Sequence, residues 1–358
     1  EQQDPSGEAA IEEYRRVLDF ALPGHQNANI DALKALGRIF ARRGDRDAAW
    51  CVCSVLKTLG GLDEREAAFH TKHDLPALAL RRALGGEEDW ANYLYDPAED
   101  LLLGRVFEML ARILADGIAT KKLVDIGVGP GDRVNINQKS RFTSFLSTVS
   151  KILRVPIPAV YRSAQVRGIH KEPLFPPVMV VGPEVLTGRK GKELRFAIGK
   201  AMAFFLPPHL LAGMYPAGHL RTLLIAAMKT VLPDVTLGGE PGVRGISRLL
   251  TERMRKSDAE ALGALARELT EREIGPNLNE WLKQVERTAN HAGHLLSNDL
   301  DVSIRLIREE ADVGNAWSKL SIDEAVDDLM QYVVSDRYFA LRRQLGAAIV
   351  AGPPGDKS

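Results

Sequence analysis

The chain has 358 residues, with 47 basic and 47 acidic side chains and a formal net charge of zero. Hydrophobic residues make up 45% and charged residues 26%, as in an ordinary globular protein of one or two domains. The balanced charge excludes a general attraction to nucleic acid or to an anionic membrane.

The sequence also bears on compartment and membrane insertion. No apolar run approaches the ~20 residues that a transmembrane helix needs, and the first residues lack a signal-peptide pattern. Cys51 and Cys53 lie two positions apart on a predicted helix, a spacing that suits neither a disulfide nor a zinc knuckle. We therefore expect a reduced, cytoplasmic protein without membrane insertion.

Residues 30–58 have the spacing of a closely packed helical hairpin. The positions that fit are Leu36, Gly37, Phe40, Ala48 or Ala49, and Val52, with Gly44 at the turn. The pattern resembles a tetratricopeptide repeat, in which small residues let two antiparallel helices approach. Residues 9–23 resemble the second helix of a preceding repeat, so we expect further repeats before them in a longer parent protein. A generic helical hairpin is the alternative.

Residues 64–119 are predicted to be helical, because apolar residues recur at spacings of three and four. Residues 122–135 are predicted to be β-like and glycine-rich. Their segment LVDIGVGPGD resembles the first motif of S-adenosylmethionine-dependent methyltransferases, which would assign cofactor binding to Asp125, Gly127, Gly129 and Gly131. Such a site also needs a helix directly after the loop and an acidic end to the next strand, and the sequence predicts neither. A glycine-rich turn is therefore favoured, with the methyltransferase as an alternative.

The second half of the chain is predicted to be mostly helical around two short strands. A helix is expected over 140–154, followed by β-runs at Ala159–Gln165 and Val178–Val181. Helical segments are then expected at 191–232 (with a break at Pro207-Pro208), 246–272, 277–310 and 322–350. Ser321 and Glu324 form a capping-box pattern at the start of the last segment.

Residues 193–204, ELRFAIGKAMAF, carry the most informative resemblance. They resemble the zinc helix of gluzincin peptidases related to CAAX-prenyl and stress-response membrane proteases, which reads approximately ELRAVLGHELGH. In this alignment Lys200 replaces the first zinc histidine, Ala201 the catalytic glutamate and Phe204 the second histidine. A protonated amine, a methyl and a phenyl group cannot perform those roles. The resemblance therefore implies a peptidase fold without zinc or peptidase chemistry.

The resemblance extends over about residues 140–310. SKILRVPIPAVYR and PPVMVVGPEVLTG are similar to the segments that precede the zinc helix, and the segment from Glu286 resembles the E-x-x-A-D-R-x-G frame of the third zinc ligand. Glu286 keeps the ligand position, whereas Asn290 replaces the usual aspartate. We predict that Lys200 points toward Glu286 and forms an ion pair with it. His291 and His294 could form an improvised metal site with Glu286, but structural histidines are favoured.

Together these patterns predict a predominantly helical α+β protein. Tetratricopeptide-like hairpins are assigned to 1–75, a helical bridge with a glycine turn to 76–139, and a degenerate gluzincin-like domain with a small β-sheet to 140–350. We expect a non-catalytic adaptor or scaffold that binds protein partners through its repeat-like surface, without cofactor, metal or nucleic acid. The combination resembles large bacterial repeat proteins. A methyltransferase, or a metal-dependent hydrolase with unconventional ligands, is the alternative.

Overall fold

The structure is a computed structural model that describes residues 7–20, 24–74, 80–115, 121–234, 242–272, 275–312 and 320–349. It is predominantly helical with one small β-sheet, which confirms the predicted fold class. The helices are α1 (Glu8–Arg16), α2 (Gln26–Arg42), α3 (Arg46–Thr58), α4 (Glu64–His73), α5 (Glu87–Asp89), α6 (Leu101–Leu114), α7 (Arg141–Leu153), α8 (Gly191–Ala203), α9 (Ala217–Val231), α10 (Val243–Arg253), α11 (Lys256–Thr270), α12 (Leu278–Ser297), α13 (Leu300–Asp312), α14 (Ile322–Val333) and α15 (Asp336–Leu345). In the described ranges, no helix is long and apolar enough to cross a membrane.

The sheet has three short strands, β1 (Ala159–Arg162), β2 (Ile169–Glu172) and β3 (Val178–Val181), in the order β1-β3-β2. The central strand β3 runs parallel to β1 and antiparallel to β2, and its four apolar residues are all buried. β1 and β3 were predicted, whereas β2 was not, because its sequence IHKE is mostly polar. Within the described residues β2 pairs with β3 alone, so it is an edge strand.

The predicted N-terminal hairpin is formed by α2 and α3. Asp45 caps α3 by accepting a hydrogen bond from the Ala48 amide, and a Cβ atom added to Gly37 would lie 3.6 Å from Val52 Cγ1, so the helices cross closely. All residues of α3 from 47 to 56 are buried, because α13 and α14 also pack against this helix. The hairpin is thus part of the main hydrophobic core. Its membership of the tetratricopeptide family stays a prediction.

Helices α8 and α12 cross at the centre of the second half of the chain. A Cβ atom at Gly199 would lie 2.6 Å from Leu296 Cδ1 and 3.0 Å from the Ala292 carbonyl oxygen. A Cβ atom at Gly293 would lie 3.0 Å from the Phe196 ring and from its carbonyl oxygen. Only glycine lets the two helices approach this closely. The crossing therefore fixes α8 and α12, and with them Lys200 and Glu286.

Three predicted helical segments are each divided into two helices. The segment 246–272 breaks between α10 and α11, because Met254 and Arg255 have extended backbones and the Asp258 carboxylate accepts from the Arg255 amide. The segment 277–310 breaks at Asn298, which has a left-handed backbone (φ 51°), a conformation that asparagine adopts more readily than most residues. The segment 322–350 breaks at Ser335, which caps α15. The capping box of Ser321 and Glu324 is confirmed.

The β-like prediction for residues 122–135 is wrong at its centre. Residues Leu123–Ile126 form a 3-10 turn, in which the Asp125 carboxylate accepts from the Lys122 amide at 2.8 Å, and the turn ends at Gly127 with a left-handed backbone. A second 3-10 turn begins after Gly129 and includes Gly131. Capping by aspartate side chains stabilises turns rather than a strand here. The strand that a methyltransferase motif requires is not formed, and the next helix, α7, begins only at Arg141.

Candidate functional site

A cavity of about 590 Å³ lies between α8, α12, α13 and the edge strand β2. Its wall includes Lys200 and Ala201 of α8, Phe204 directly after α8, and Glu286 of α12. The structure thus brings together four residues that the sequence assigned to one degenerate zinc site. The residues of the glycine-rich alternative, Asp125, Gly127, Gly129 and Gly131, are not part of this wall.

Lys200 is the most tightly held side chain of the site. Its Nζ lies 3.3 Å from Glu286 Oε1, which confirms the predicted ion pair, and 2.7 Å from Glu310 Oε2. The residue is only 8% exposed. Burial opposes its charge, but Glu310 and Glu286 outweigh burial and raise the pKa of Lys200 above the usual value. Lys200 is therefore a charged anchor between helices at neutral pH.

Glu310 was not predicted, and the reason is geometric. A continuous helix over 277–310 would place Glu310 24 residues beyond Glu286, or about 36 Å away at ~1.5 Å per residue. The left-handed residue Asn298 instead turns α13 back, so that Glu310 reaches the same amine as Glu286. Only tertiary structure could show this second carboxylate.

Ala201 and Phe204 line the cavity beside this ion-pair cluster. Ala201 contributes a methyl group to the wall, while Phe204 is the residue at which α8 ends. The Phe204 ring lies under a second amine, because Nζ of Lys171 on β2 is 4.0 Å from the ring centroid. Burial, and next the charge of Lys200, lower the pKa of Lys171 to about 8, against the attraction of Glu310 and Glu286. Lys171 was missed because β2 was not predicted.

Asn290 lies one helical turn beyond Glu286 on α12 but outside the cavity wall. The residue is fully buried, and neither its side-chain nitrogen nor its oxygen has a hydrogen-bond partner among the described residues. The predicted position in a degenerate zinc site therefore does not bring Asn290 to the cavity. An uncharged amide thus occupies a buried place without a hydrogen-bond partner among the described residues.

His291 and His294 are engaged away from Glu286. His291 Nδ1 lies 2.8 Å from the Leu94 carbonyl oxygen and its Nε2 lies 2.9 Å from Asp328 Oδ2. His294 Nδ1 lies 3.1 Å from Ser303 Oγ, and burial lowers the pKa of His294 to about 3. These contacts fit structural histidines. Within the described ranges, no group of three or more His, Cys, Asp or Glu residues could hold a metal ion.

No protein-family model matches this chain, and neither a curated protein sequence nor a solved structure is significantly similar to it. The function is therefore inferred from the residues that line the cavity. The cavity offers an edge strand, an apolar floor of Ala201 and Phe204, and two amines of different environment. That combination is suited to holding a ligand.

Proposed function

We propose that the protein is a non-catalytic adaptor that binds a peptide segment of a partner protein in the cavity between α8, α12 and β2. The observation that carries the proposal is the pairing of Lys200 with Glu286 and Glu310 beside a cavity that remains open. The helices of the resembled peptidases are linked by zinc, whereas here three charged side chains link them. The ligand-sized space is kept next to that link.

The edge strand supports a peptide rather than a small molecule as the ligand. Residues of β2 line the cavity, and in the described part of the chain this strand pairs only with β3. An extended peptide can pair with such an edge through its main chain and place alternate side chains in adjacent pockets. A cavity of about 590 Å³ can accommodate a few such side chains.

The groups next to the cavity support binding more than catalysis. The raised pKa of Lys200 keeps this amine protonated, so it is unsuited to act as a base or nucleophile at neutral pH. Ala201, at the position of the catalytic glutamate in the resembled peptidases, has no group that can transfer a proton. The proposal therefore assigns the cavity to recognition, with the chemistry of the resembled enzymes lost.

The repeat-like hairpin is proposed as a second contact surface. Other helices enclose α3, whereas Asp31 and Arg38 of α2 are exposed and available to a partner. Helical repeats bind partners through such faces. We assign the ligand peptide to the cavity and a further partner to α2.

A displayed library of random eight-residue peptides tests the proposal. Peptides selected on the wild-type protein are expected to lose binding to Ala201→Phe, which fills the cavity, and to keep it on Ala264→Phe, a control on the exposed face of α11. Circular dichroism and thermal unfolding check that both variants are folded. Failure to select any peptide that distinguishes the two variants would contradict the proposal. Stoichiometric zinc on the purified protein, or saturable binding of S-adenosylmethionine in calorimetry, would favour the alternatives.

A further inference from the structure

The charged side chains around the cavity are unequally paired. Each described carboxylate of the wall has a partner within the protein. Glu172 is paired with Lys121, Glu184 accepts from the Gly168 amide, Glu286 and Glu310 hold Lys200, and Glu309 is paired with Arg189 and Arg305. Each of these carboxylates therefore already accepts a hydrogen bond or contacts a cation within the protein.

Two cations of the wall are different. Neither Lys171 nor Arg167 forms an ion pair with any described residue, although both line the cavity. Arg167 is exposed, so its guanidinium is accessible to solvent. Lys171 is half-buried, and its Nζ contacts the face of Phe204 instead of a carboxylate. Lys171 is therefore the half-buried cation of this wall that has no carboxylate in contact with it among the described residues.

The surroundings of Lys171 show why this arrangement favours an anionic ligand. The nearest acidic side chains, Glu286 and Glu310, are already in contact with Lys200, so they act on Lys171 only from a greater distance. The Phe204 ring replaces only part of the hydration that a partly desolvated ammonium loses. The pKa of Lys171, lowered to about 8, is consistent with that missing partner. A carboxylate placed against Nζ would supply a charge-assisted hydrogen bond in a region of low dielectric.

We infer that the cavity selects peptides that present a carboxylate to Lys171, an inference that rests on the proposed function. The position of Lys171 on the edge strand makes the inference specific. A peptide strand paired with β2 would place one side chain directly opposite Lys171, with Cβ atoms ~5 Å apart, and the side chains two residues away on the same face. The carboxylate is thus expected at a single position, flanked at alternate positions by side chains that face α8.

Two sources of carboxylate are compatible with this chemistry, an acidic side chain within the peptide and a free peptide C-terminus. Two random eight-residue libraries separate them, one with free C-termini and one in which the peptide is followed by a constant segment. Enrichment of Asp or Glu at one position in the second library identifies the side chain. Binders found only in the first library identify the C-terminus.

Variants at Lys171 test the inference itself. Lys171→Met keeps the length and packing of the side chain and is expected to weaken the selected peptides at least ~10-fold, the usual effect of losing a charge-assisted hydrogen bond. Lys171→Glu is expected to select basic residues at the same position. Lys151→Met, on the exposed face of α7, is the matched control and is expected to leave affinity unchanged.

The outcomes separate this inference from the proposed function. Peptides that bind the cavity, lose binding to Ala201→Phe, but show no acidic preference and are unaffected by Lys171→Met would overturn the carboxylate specificity while supporting the adaptor. Absence of any cavity-dependent peptide would overturn the adaptor proposal and the inference together. Thermal unfolding of each Lys171 variant shows whether a loss of binding comes from a loss of folding.

Discussion

Arg342 and Asp47 form a buried, two-point ion pair between residues 295 positions apart in the chain. Arg342 Nε and Nη2 donate to Asp47 Oδ2 and Oδ1, each at 2.9 Å, and the guanidinium lies 4.9 Å from the Trp50 ring centroid. Arg342 also donates to the Asn298 side-chain oxygen. This pair joins the N-terminal hairpin, the turn before α13 and the last helix α15.

Removal of one partner from this pair is expected to be costly. Asp47→Asn should lower the free energy of unfolding by about 3 kcal/mol, because the Arg342 guanidinium would keep its buried charge without a carboxylate. The double variant Asp47→Asn with Arg342→Met should be less destabilised than the sum of the two single variants. Urea denaturation measures all four proteins. Simple additivity would show that the two side chains do not interact energetically.

Substitutions of Lys200, Glu286 and Glu310 should differ in their effect on the free energy of unfolding. Lys200→Met leaves two carboxylates without their shared lysine and is expected to lower the free energy of unfolding by about 2 kcal/mol. Glu286→Gln and Glu310→Gln each leave Lys200 with one carboxylate, so each should lower it by ~1 kcal/mol or less. The double variant Lys200→Met with Glu286→Gln should show coupling. Chemical denaturation gives the four values. Equal effects of the three single substitutions would argue against a shared lysine.

The α8–α12 crossing gives a test of packing with a matched control. Gly199→Ala is expected to destabilise the protein by ~1–3 kcal/mol, because the new methyl group would overlap Leu296 Cδ1, and this outweighs the better helix propensity of alanine. Gly245→Ala, at an exposed position of α10 with nothing within 4 Å of the added atom, should be neutral or stabilising. A stabilising effect of Gly199→Ala would contradict the close crossing.

His294 should make stability fall in mild acid. Its pKa is lowered to about 3 in the folded protein, first by burial and then by Arg342, whereas an unfolded histidine titrates near 6.5. Between these values the unfolded chain binds the extra proton, so the contribution of His294 is complete above about pH 6.5 and decreases by up to ~1.4 kcal/mol per pH unit below it. His294→Asn should reduce this slope, measured by denaturation at pH 5 and 7. His25→Asn, at an exposed position, is the control and should leave the slope unchanged.

The resemblance to a zinc helix can be tested by restoring the missing groups. The triple variant Lys200→His, Ala201→Glu and Phe204→His, with Glu286 unchanged, is expected to bind one zinc ion per chain, because two histidines one turn apart would face the third-ligand position. Elemental analysis after dialysis measures the zinc. Adding Glu286→Ala to the triple variant should reduce the affinity. If zinc content is equal with and without Glu286, the alignment of α12 is incorrect.

Local sequence patterns were sufficient for the elements on which the site depends. The amphipathic spacing of 140–154, the apolar run of β3 and the glycine at 199 each encode their structure within a few residues, and α7, β3 and α8 lie where they were predicted. The Lys200–Glu286 pair followed from aligning α8 and α12 with one frame. These features can be predicted from residues close in sequence, or from a helix crossing that depends on glycine.

The missing parts depend on tertiary contacts. The polar strand β2 forms because β3 offers it a hydrogen-bonding edge, and no periodicity in IHKE indicates it. The helix break at Asn298 is stabilised by Arg342, which lies 44 positions away. Lys171 and Glu310 enter the site only through these two features. The sequence therefore predicted Lys200 and Glu286 in the cavity wall but not Lys171 and Glu310.

Helix α13 makes the N-terminal hairpin part of the architecture of the cavity. Near its start, Asp301 accepts a hydrogen bond from the Thr58 hydroxyl at 2.7 Å and lies 3.0 Å from Lys57 Nζ, at the end of α3. Near its other end, Glu310 contacts Lys200. The same helix thus contacts the end of α3 and contributes Glu310 to the wall of the cavity. A change in the packing of α3 against α13 is therefore expected to move Glu310 and its ion pair with Lys200.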